Sequence, residues 1–155
     1  MIQRWNNVVG HNDHVFHLGD FSFAGPDRTI DLIYRLNGVK HLIAGNHDAK
    51  HRKNQKFVEA FQFVVDYHEM TVQDDELPEH KQHIVLCHYP IMSWNKARYG
   101  SWHLHGHCHG TVKSPGVKRY DVGVDPNNFV PLCYTELKAI FAKCDNVDGR
   151  PKRRT

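Results

Sequence analysis

The sequence lacks long apolar runs. No stretch reaches the roughly 18 to 20 apolar residues that a membrane-spanning helix requires. Residues 1–10 also lack the continuous apolar core of a secretory signal peptide. The sequence therefore predicts a cytoplasmic protein that makes no contact with a membrane.

The sequence also has few cysteines, and none of them are paired by a Cys-x-x-Cys spacing. The four stand at Cys87, Cys108, Cys133 and Cys144. A chain of 155 residues without a signal peptide does not depend on a disulfide framework, so we expect reduced thiols and no zinc finger. Cys87 and Cys108 lie beside candidate ligands described below, and we expect them to fill buried space, as free cysteines usually do.

Neither sign of charge is in strong excess. The 20 Lys and Arg residues outnumber the 17 Asp and Glu residues by three. This excess lies in residues 148–155, which we expect to form a basic, disordered tail, while residues 1–147 carry equal numbers of both signs. A nucleic-acid groove needs basic residues clustered along one face. We therefore expect no stable nucleic-acid binding.

Apolar spacing predicts a single α/β domain over residues 1–147. No repeat or linker divides the chain. A helix at 29–36 separates strands at 14–18 and 39–44, which is the pattern of a parallel βαβ unit. We expect further helices at 2–9, 55–61 and 135–143, and further strands at 63–67, 68–72, 83–87, 102–105 and 119–124.

Histidine is abundant, with fourteen residues. It titrates near neutral pH and is the commonest metal ligand, so this abundance favours a metal or acid–base site. Four polar clusters directly follow predicted strands: Gly19-Asp20, Gly45-Asn46-His47-Asp48, Cys87-His88 and Gly106-His107-Cys108-His109. Strand ends line the ligand crevice of α/β sheets and glycine permits sharp turns, so we expect these side chains to meet. Their oxygen and nitrogen donors suit Mn²⁺, Fe, Zn²⁺ or Ni²⁺.

In their order along the chain, the four clusters resemble the motif series of the calcineurin-like metallophosphoesterases. The resemblance implies an α/β fold of the αββα type, a sandwich of two mixed sheets flanked by helices. It also implies a two-metal centre in which Asp20 bridges the ions. Asn46, His88 and His107 would complete one metal site, and His109 would belong to the other. The implied cofactors are divalent metal ions, with Mn²⁺ favoured.

The activity that the resemblance implies is hydrolysis of phosphomonoesters or phosphodiesters. Two cations about 3.5 to 4 Å apart share a hydroxide that attacks phosphorus, so no side-chain nucleophile is needed. His47 matches the family's catalytic histidine, which contacts the phosphate and assists the leaving oxygen. Asp48 either orients His47 or caps the helix that follows, and the sequence leaves both roles open. A small phosphoester or nucleotide is the expected substrate, with no substrate-binding residues identified.

One motif of the family is absent. An Asp-x-His pair on the family's first strand supplies two ligands to the site shared with His109, and no such pair precedes Gly19 here. Asp13 and His14 are adjacent and precede the strand, so we reject them as substitutes. We therefore expect an N-terminal truncation or internal start codon, a missing first strand and one metal ion instead of two. Exposed strand edges would then cause marginal stability or association.

Two functions compete on these grounds. The first is a metal-dependent phosphoesterase whose chemistry is impaired in this chain, and the alternative is a non-catalytic metal-binding scaffold on the same fold. The absent motif favours the scaffold. The presence of His47, together with all four ligands of one site, favours the enzyme, because a scaffold does not need an imidazole that faces phosphate.

Most other histidines are given structural roles. We expect His17 and His103 in the core or behind the ligands, where they support metal-bound residues. His105 stays open as a residue of the site wall. Seven further histidines, including His41 and His51, are expected on the surface or in loops.

Overall fold

The computed structural model describes residues 1–112 and 117–144. In chain order, its helices and strands are α1 (Ile2–Val8), β1 (His14–His17), α2 (Pro26–Arg35), β2 (Val39–Ile43), a 3₁₀ helix (Asp48–Lys53), α3 (Gln55–Glu59), β3 (Val64–Val65), β4 (Tyr67–Gln73), β5 (Lys81–Cys87), a second 3₁₀ helix (Ala97–Tyr99), β6 (Trp102–His105), β7 (Arg119–Asp121) and α4 (Tyr134–Phe141). The expected tail at 148–155 lies outside the described residues.

The strands form two sheets. The first has the order β1-β2-β3 and is parallel, with His14 opposite Val39 and Leu42 opposite Val64. The second has the order β4-β5-β6-β7, in which only the β4–β5 pair is antiparallel. An α/β fold and the βαβ unit β1-α2-β2 are thus confirmed. The expectation of two mixed sheets is wrong for the first sheet, whose described strands all run the same way because helices connect them.

The two sheets pack on a shared core. Leu42 and Ile43 are adjacent in β2 and fully buried, and their side chains point to opposite faces of the first sheet. Leu42 joins a cluster with Ile33 of α2, Phe57 of α3 and Phe61, which follows α3. Ile43 joins the main core, which also contains Leu18, Ile84, Leu86, Trp102, Leu104, Leu137 and Phe141. The first sheet therefore lies between the helices α2 and α3 and the second sheet.

Two histidines expected on the surface are buried. His41 is 4% exposed in β2, where its ring stacks on Phe16 and its Nε2 lies 2.9 Å from Nδ1 of His14. His51 is 1% exposed, stacks on Phe57 and donates a hydrogen bond to a backbone carbonyl. The expectation failed because an imidazole is flat enough to pack between aromatic rings, which sequence spacing does not reveal.

Every helix in the described ranges is too short or too polar to cross a lipid bilayer.

Candidate metal centre

Three donor side chains converge on one nitrogen atom of a fourth, the Nε2 of His88. It lies 3.1 Å from Oδ1 of Asn46, 3.2 Å from Nδ1 of His107 and 3.4 Å from Oδ2 of Asp20. One ligand atom each from Asp20, His88 and His107 lie within 4.8 Å of one another. The structure therefore brings together four of the five residues that the sequence proposed as metal ligands.

A hydrogen bond at the other ring nitrogen of His88 indicates what these donors can hold. Its Nδ1 lies 2.6 Å from the carbonyl oxygen of Leu18, which can only accept a hydrogen bond, so Nδ1 carries the proton. In the neutral ring, Nε2 is then a lone pair that faces the amide oxygen of Asn46 and the carboxylate of Asp20. Electron-pair donors this close repel each other unless a positive charge lies between them. The donor set therefore fits a divalent cation, with the Leu18 bond orienting the ring.

Glycines at two strand ends allow the donors to approach. A Cβ atom on Gly19 would lie 2.5 Å from both the backbone nitrogen of Gly45 and Nδ1 of His88. A Cβ atom on Gly45 would lie 2.3 Å from Oδ1 of Asp20. Asp20 and His107 themselves adopt left-handed backbone conformations, with φ of 53° and 65°. Such strained conformations persist where the surrounding structure fixes them, which is common at functional sites.

Asp48 joins the loops that follow β1 and β2. Its side chain is fully buried, and Oδ2 accepts hydrogen bonds from the backbone N–H groups of Asp20 at 2.7 Å and Gly45 at 2.9 Å. Oδ1 accepts a third from Phe21 at 2.9 Å. The helix-capping role is wrong, because His47 occupies the N-cap position and Asp48 is the first helical residue. Asp48 instead positions the backbone of Asp20.

His47 lies at the edge of the donor cluster and is exposed. Its backbone N–H donates a 2.8 Å hydrogen bond to Oδ1 of Asp20, which leaves Oδ2 facing His88. Its ring packs edge-to-face against Phe23 at a centroid distance of 5.0 Å. The imidazole is therefore available to a ligand beside the carboxylate, and its catalytic role stays a prediction.

His109 is the expected ligand that the structure does not bring to the other four. Its nitrogens do not share the 4.8 Å mutual distance that joins Asp20, His88 and His107 among the described residues. Its Nδ1 lies 2.5 Å from Oδ2 of Asp125, and both side chains are about half exposed or more. The expected second site, shared by His109 and Asp20, stays a prediction.

Two histidines within the strands β1 and β6 have lowered pKa values. Burial lowers the pKa of His103 to about 4, and its Nδ1 donates to the Val85 carbonyl while Nε2 accepts from the backbone N–H of Ile91. The expected core position of His103 is confirmed, since it is fully buried. Burial likewise lowers the pKa of His17 to about 4, against the opposing effect of the Asp48 carboxylate.

His105, which the sequence left open, is also fully buried, and its Nδ1 donates to the Gly106 carbonyl at 2.8 Å. Burial lowers its pKa. It therefore supports the backbone at the start of the His107 loop rather than forming a wall of the site. Cys108, in the same loop, is partly buried, and burial raises its thiol pKa, which suits a filler and not a metal-binding thiolate.

Sequence reasoning missed three residues at this site. Tyr89 packs edge-to-face against His88 and His107, at centroid distances of 4.9 and 4.8 Å. Phe23 packs on His47, and Asp125 pairs with His109. Tyr89 directly follows a ligand and Phe23 lies three residues after Asp20, so adjacency to the motifs was the available indication.

No family model matches the chain. An uncharacterized protein of Methanocaldococcus jannaschii is 29% identical over 151 residues, which cover 92% of this chain and 74% of that protein. The gene 66 protein of Mycobacterium phage D29 is 29% identical over 156 residues, covering 85% of this chain and 77% of that protein. Among solved structures, a protein of unknown function from Aquifex aeolicus is similar, with a TM-score of 0.63 and 19% identity, over 90% of this chain and 82% of that one. This likeness shows a shared fold.

Proposed function

We propose that this chain is a metal-dependent phosphoesterase with the fold and site of the calcineurin-like metallophosphoesterases. The observation that carries the proposal is the convergence of Asp20, Asn46 and His107 on Nε2 of His88. The order of the motifs along the chain supports it, since all four clusters end neighbouring strands of the two sheets.

The residues divide into those that hold a cation and those that face a substrate. Asp20, Asn46, His88 and His107 would hold the ion, and Asp48 keeps the Asp20 backbone in place. When bound, such an ion offsets phosphoryl charge and lowers the pKa of water toward neutrality. His47, which is exposed beside Asp20, donates a hydrogen bond or proton to the oxygen on which charge develops.

The alternative function is a metal-binding scaffold without turnover. It is favoured by the position of His109, which bonds to Asp125 instead of completing the donor cluster. With one cation in place of two, only one side of the phosphoryl group is clamped, and in-line attack loses part of its stabilisation. The two functions share the same donors and differ in whether His47 acts on a phosphoester.

Metal content and hydrolysis, measured together, separate these functions. We expect one Mn²⁺ per chain by elemental analysis, and slow hydrolysis of a bis(aryl) phosphate in excess Mn²⁺. The substitution His47→Ala should abolish that hydrolysis and leave metal content unchanged. His80→Ala is the matched control, because His80 is an exposed histidine on the turn between β4 and β5.

Each result has a defined meaning. Hydrolysis that survives His47→Ala would show that the activity does not come from this site. Bound metal without any turnover would favour the scaffold. Absence of bound metal in the unmodified chain would contradict both functions, since both depend on the donor cluster.

A further inference from the structure

Two exposed aromatic rings border the donor cluster. Phe23 is 72% exposed, yet it contacts the ring of His47. Tyr89 is 45% exposed and contacts the rings of both His88 and His107. Both aromatic residues therefore touch side chains that face the proposed phosphoryl position, and both leave much of their surface open to solvent.

The exposure of Phe23 is not the result of a loose loop. Hydrogen bonds hold the residues on either side of it in place. Ser22 Oγ accepts one from the backbone N–H of Ala24 and one from Oγ1 of Thr29, both at 3.1 Å. The Ser22 carbonyl also accepts a 3.0 Å hydrogen bond from Nε2 of His51. Thr29 and His51 are fully buried, so the backbone that carries Phe23 is anchored in the core.

The segment that carries Tyr89 is anchored in the same way. The carbonyl of His88, just before it, accepts a 3.1 Å hydrogen bond from the backbone N–H of Gly106. The N–H of Ile91, two residues after it, donates to Nε2 of the buried His103 at 3.2 Å. Tyr89 thus presents its ring from a fixed backbone, beside two proposed cation ligands.

Fixed, exposed aromatic rings beside a phosphoryl site are suited to stacking on a flat aromatic group. Every nucleobase offers such a face, and stacking requires no particular base. Residues 1–147 carry no net excess of positive charge to attract the many phosphates of a polynucleotide, which favours a single nucleotide. We propose that Phe23 and Tyr89 bind the base of a nucleotide substrate, so that the site prefers nucleoside phosphoesters to sugar phosphates. This inference rests on the proposed phosphoesterase function.

Adenosine 5′-monophosphate and ribose 5-phosphate provide the test, because both are phosphate esters of the 5′ oxygen of a ribose and only the first carries a base. With the Mn²⁺-loaded full chain, kcat/KM is compared for Phe23→Leu, Tyr89→Leu and the double variant. We expect each single substitution to lower kcat/KM for the nucleotide about tenfold, as loss of one stacking partner does. The value for ribose 5-phosphate should change by less than about twofold, since no stack is lost there.

Two further sets of variants serve as controls. Tyr34→Leu removes an equally exposed aromatic ring at the far end of α2 and should leave both substrates unaffected. Phe23→Tyr and Tyr89→Phe keep the rings and should retain the preference for the nucleotide. Equal losses for both substrates, or no loss for either, would overturn the inference.

A binding measurement separates this inference from the proposed function. Adenosine, which has no phosphate, is titrated into the metal-free chain while ring resonances of Phe23 and Tyr89 are followed by NMR. We expect shifts at both rings with adenosine and none with ribose, whether or not the chain hydrolyses any phosphoester. If adenosine causes no shifts, the inference is wrong. If adenosine causes shifts but the chain hydrolyses no phosphoester, only the proposed function is wrong.

Discussion

The loops that follow β1 and β2 differ sharply from the loop that follows β6, although all of them supply donors to the same cluster. The first two are joined by the buried carboxylate of Asp48, which binds three backbone N–H groups. In the third, His107 and His109 are exposed, and the contact that orients His109 is the exposed side chain of Asp125. The Asp48 carboxylate thus fixes one side of the site before any ligand arrives. On the other side, the buried Asp121 accepts a hydrogen bond from the backbone of Gly110, but the contact that orients His109 is exposed to water, which weakens it.

The largest expected effect tests the fixed side through stability. Asp48→Ala leaves three backbone N–H groups without their acceptor, so we expect the free energy of unfolding to fall by about 3 to 5 kcal/mol. Asp125→Ala removes an exposed partner and should cost less than about 1 kcal/mol. Urea unfolding in the presence of a chelator measures both. Similar losses for the two variants would remove the distinction between the loops.

The second-largest expected effect is the loss of stability in acid caused by His103, which bonds to Val85 and Ile91 on either side of His88. The pKa of His103 is about 4 in the folded chain, below the ordinary value of 6.5 expected when it is unfolded. Between these values the unfolded chain binds the extra proton, so the free energy of unfolding should fall as pH drops from 6.5 to 4, by about 3 kcal/mol from this residue.

His103→Gln provides the matched variant, since glutamine keeps a donor and an acceptor but does not titrate. Its free energy of unfolding, measured by urea titration in chelator at several pH values, should decline less between pH 6.5 and 4. If the variant and the unmodified chain show the same decline, His103 is not the group that links folding to protons in this range.

The smallest expected effect is on metal affinity, and it compares the central donor His88 with His109 of the loop that follows β6. His88→Ala removes the central donor and should weaken Mn²⁺ binding by at least about 100-fold, beyond the effect of losing a supporting contact. His109→Ala should leave the affinity nearly unchanged, because His109 lies outside the cluster. Calorimetric titration of the chelator-treated chain measures both. An equal loss for His109→Ala would place this residue at the cation after all.

The sequence was sufficient to locate His88 and His107, because both follow buried strands whose ends must share an edge of a sheet. It did not reveal the role of Asp48, which depends on how closely the β1 and β2 loops approach each other. Burial of His41 and His51 was missed for a related reason, since it depends on aromatic rings supplied by other elements. Local patterns thus identified the donors, whereas contacts between distant segments determined what holds them.

The hydrogen bond from His88 to the Leu18 carbonyl joins the end of β5, in the second sheet, to the end of β1, in the first. Asp20 and Asn46 come from the first sheet, while His88 and His107 come from the second. A cation shared by these four residues would therefore act as a cross-link between the two layers. Adding it should raise the melting temperature of both layers together, by an amount that grows with the logarithm of the cation concentration once this exceeds the Kd.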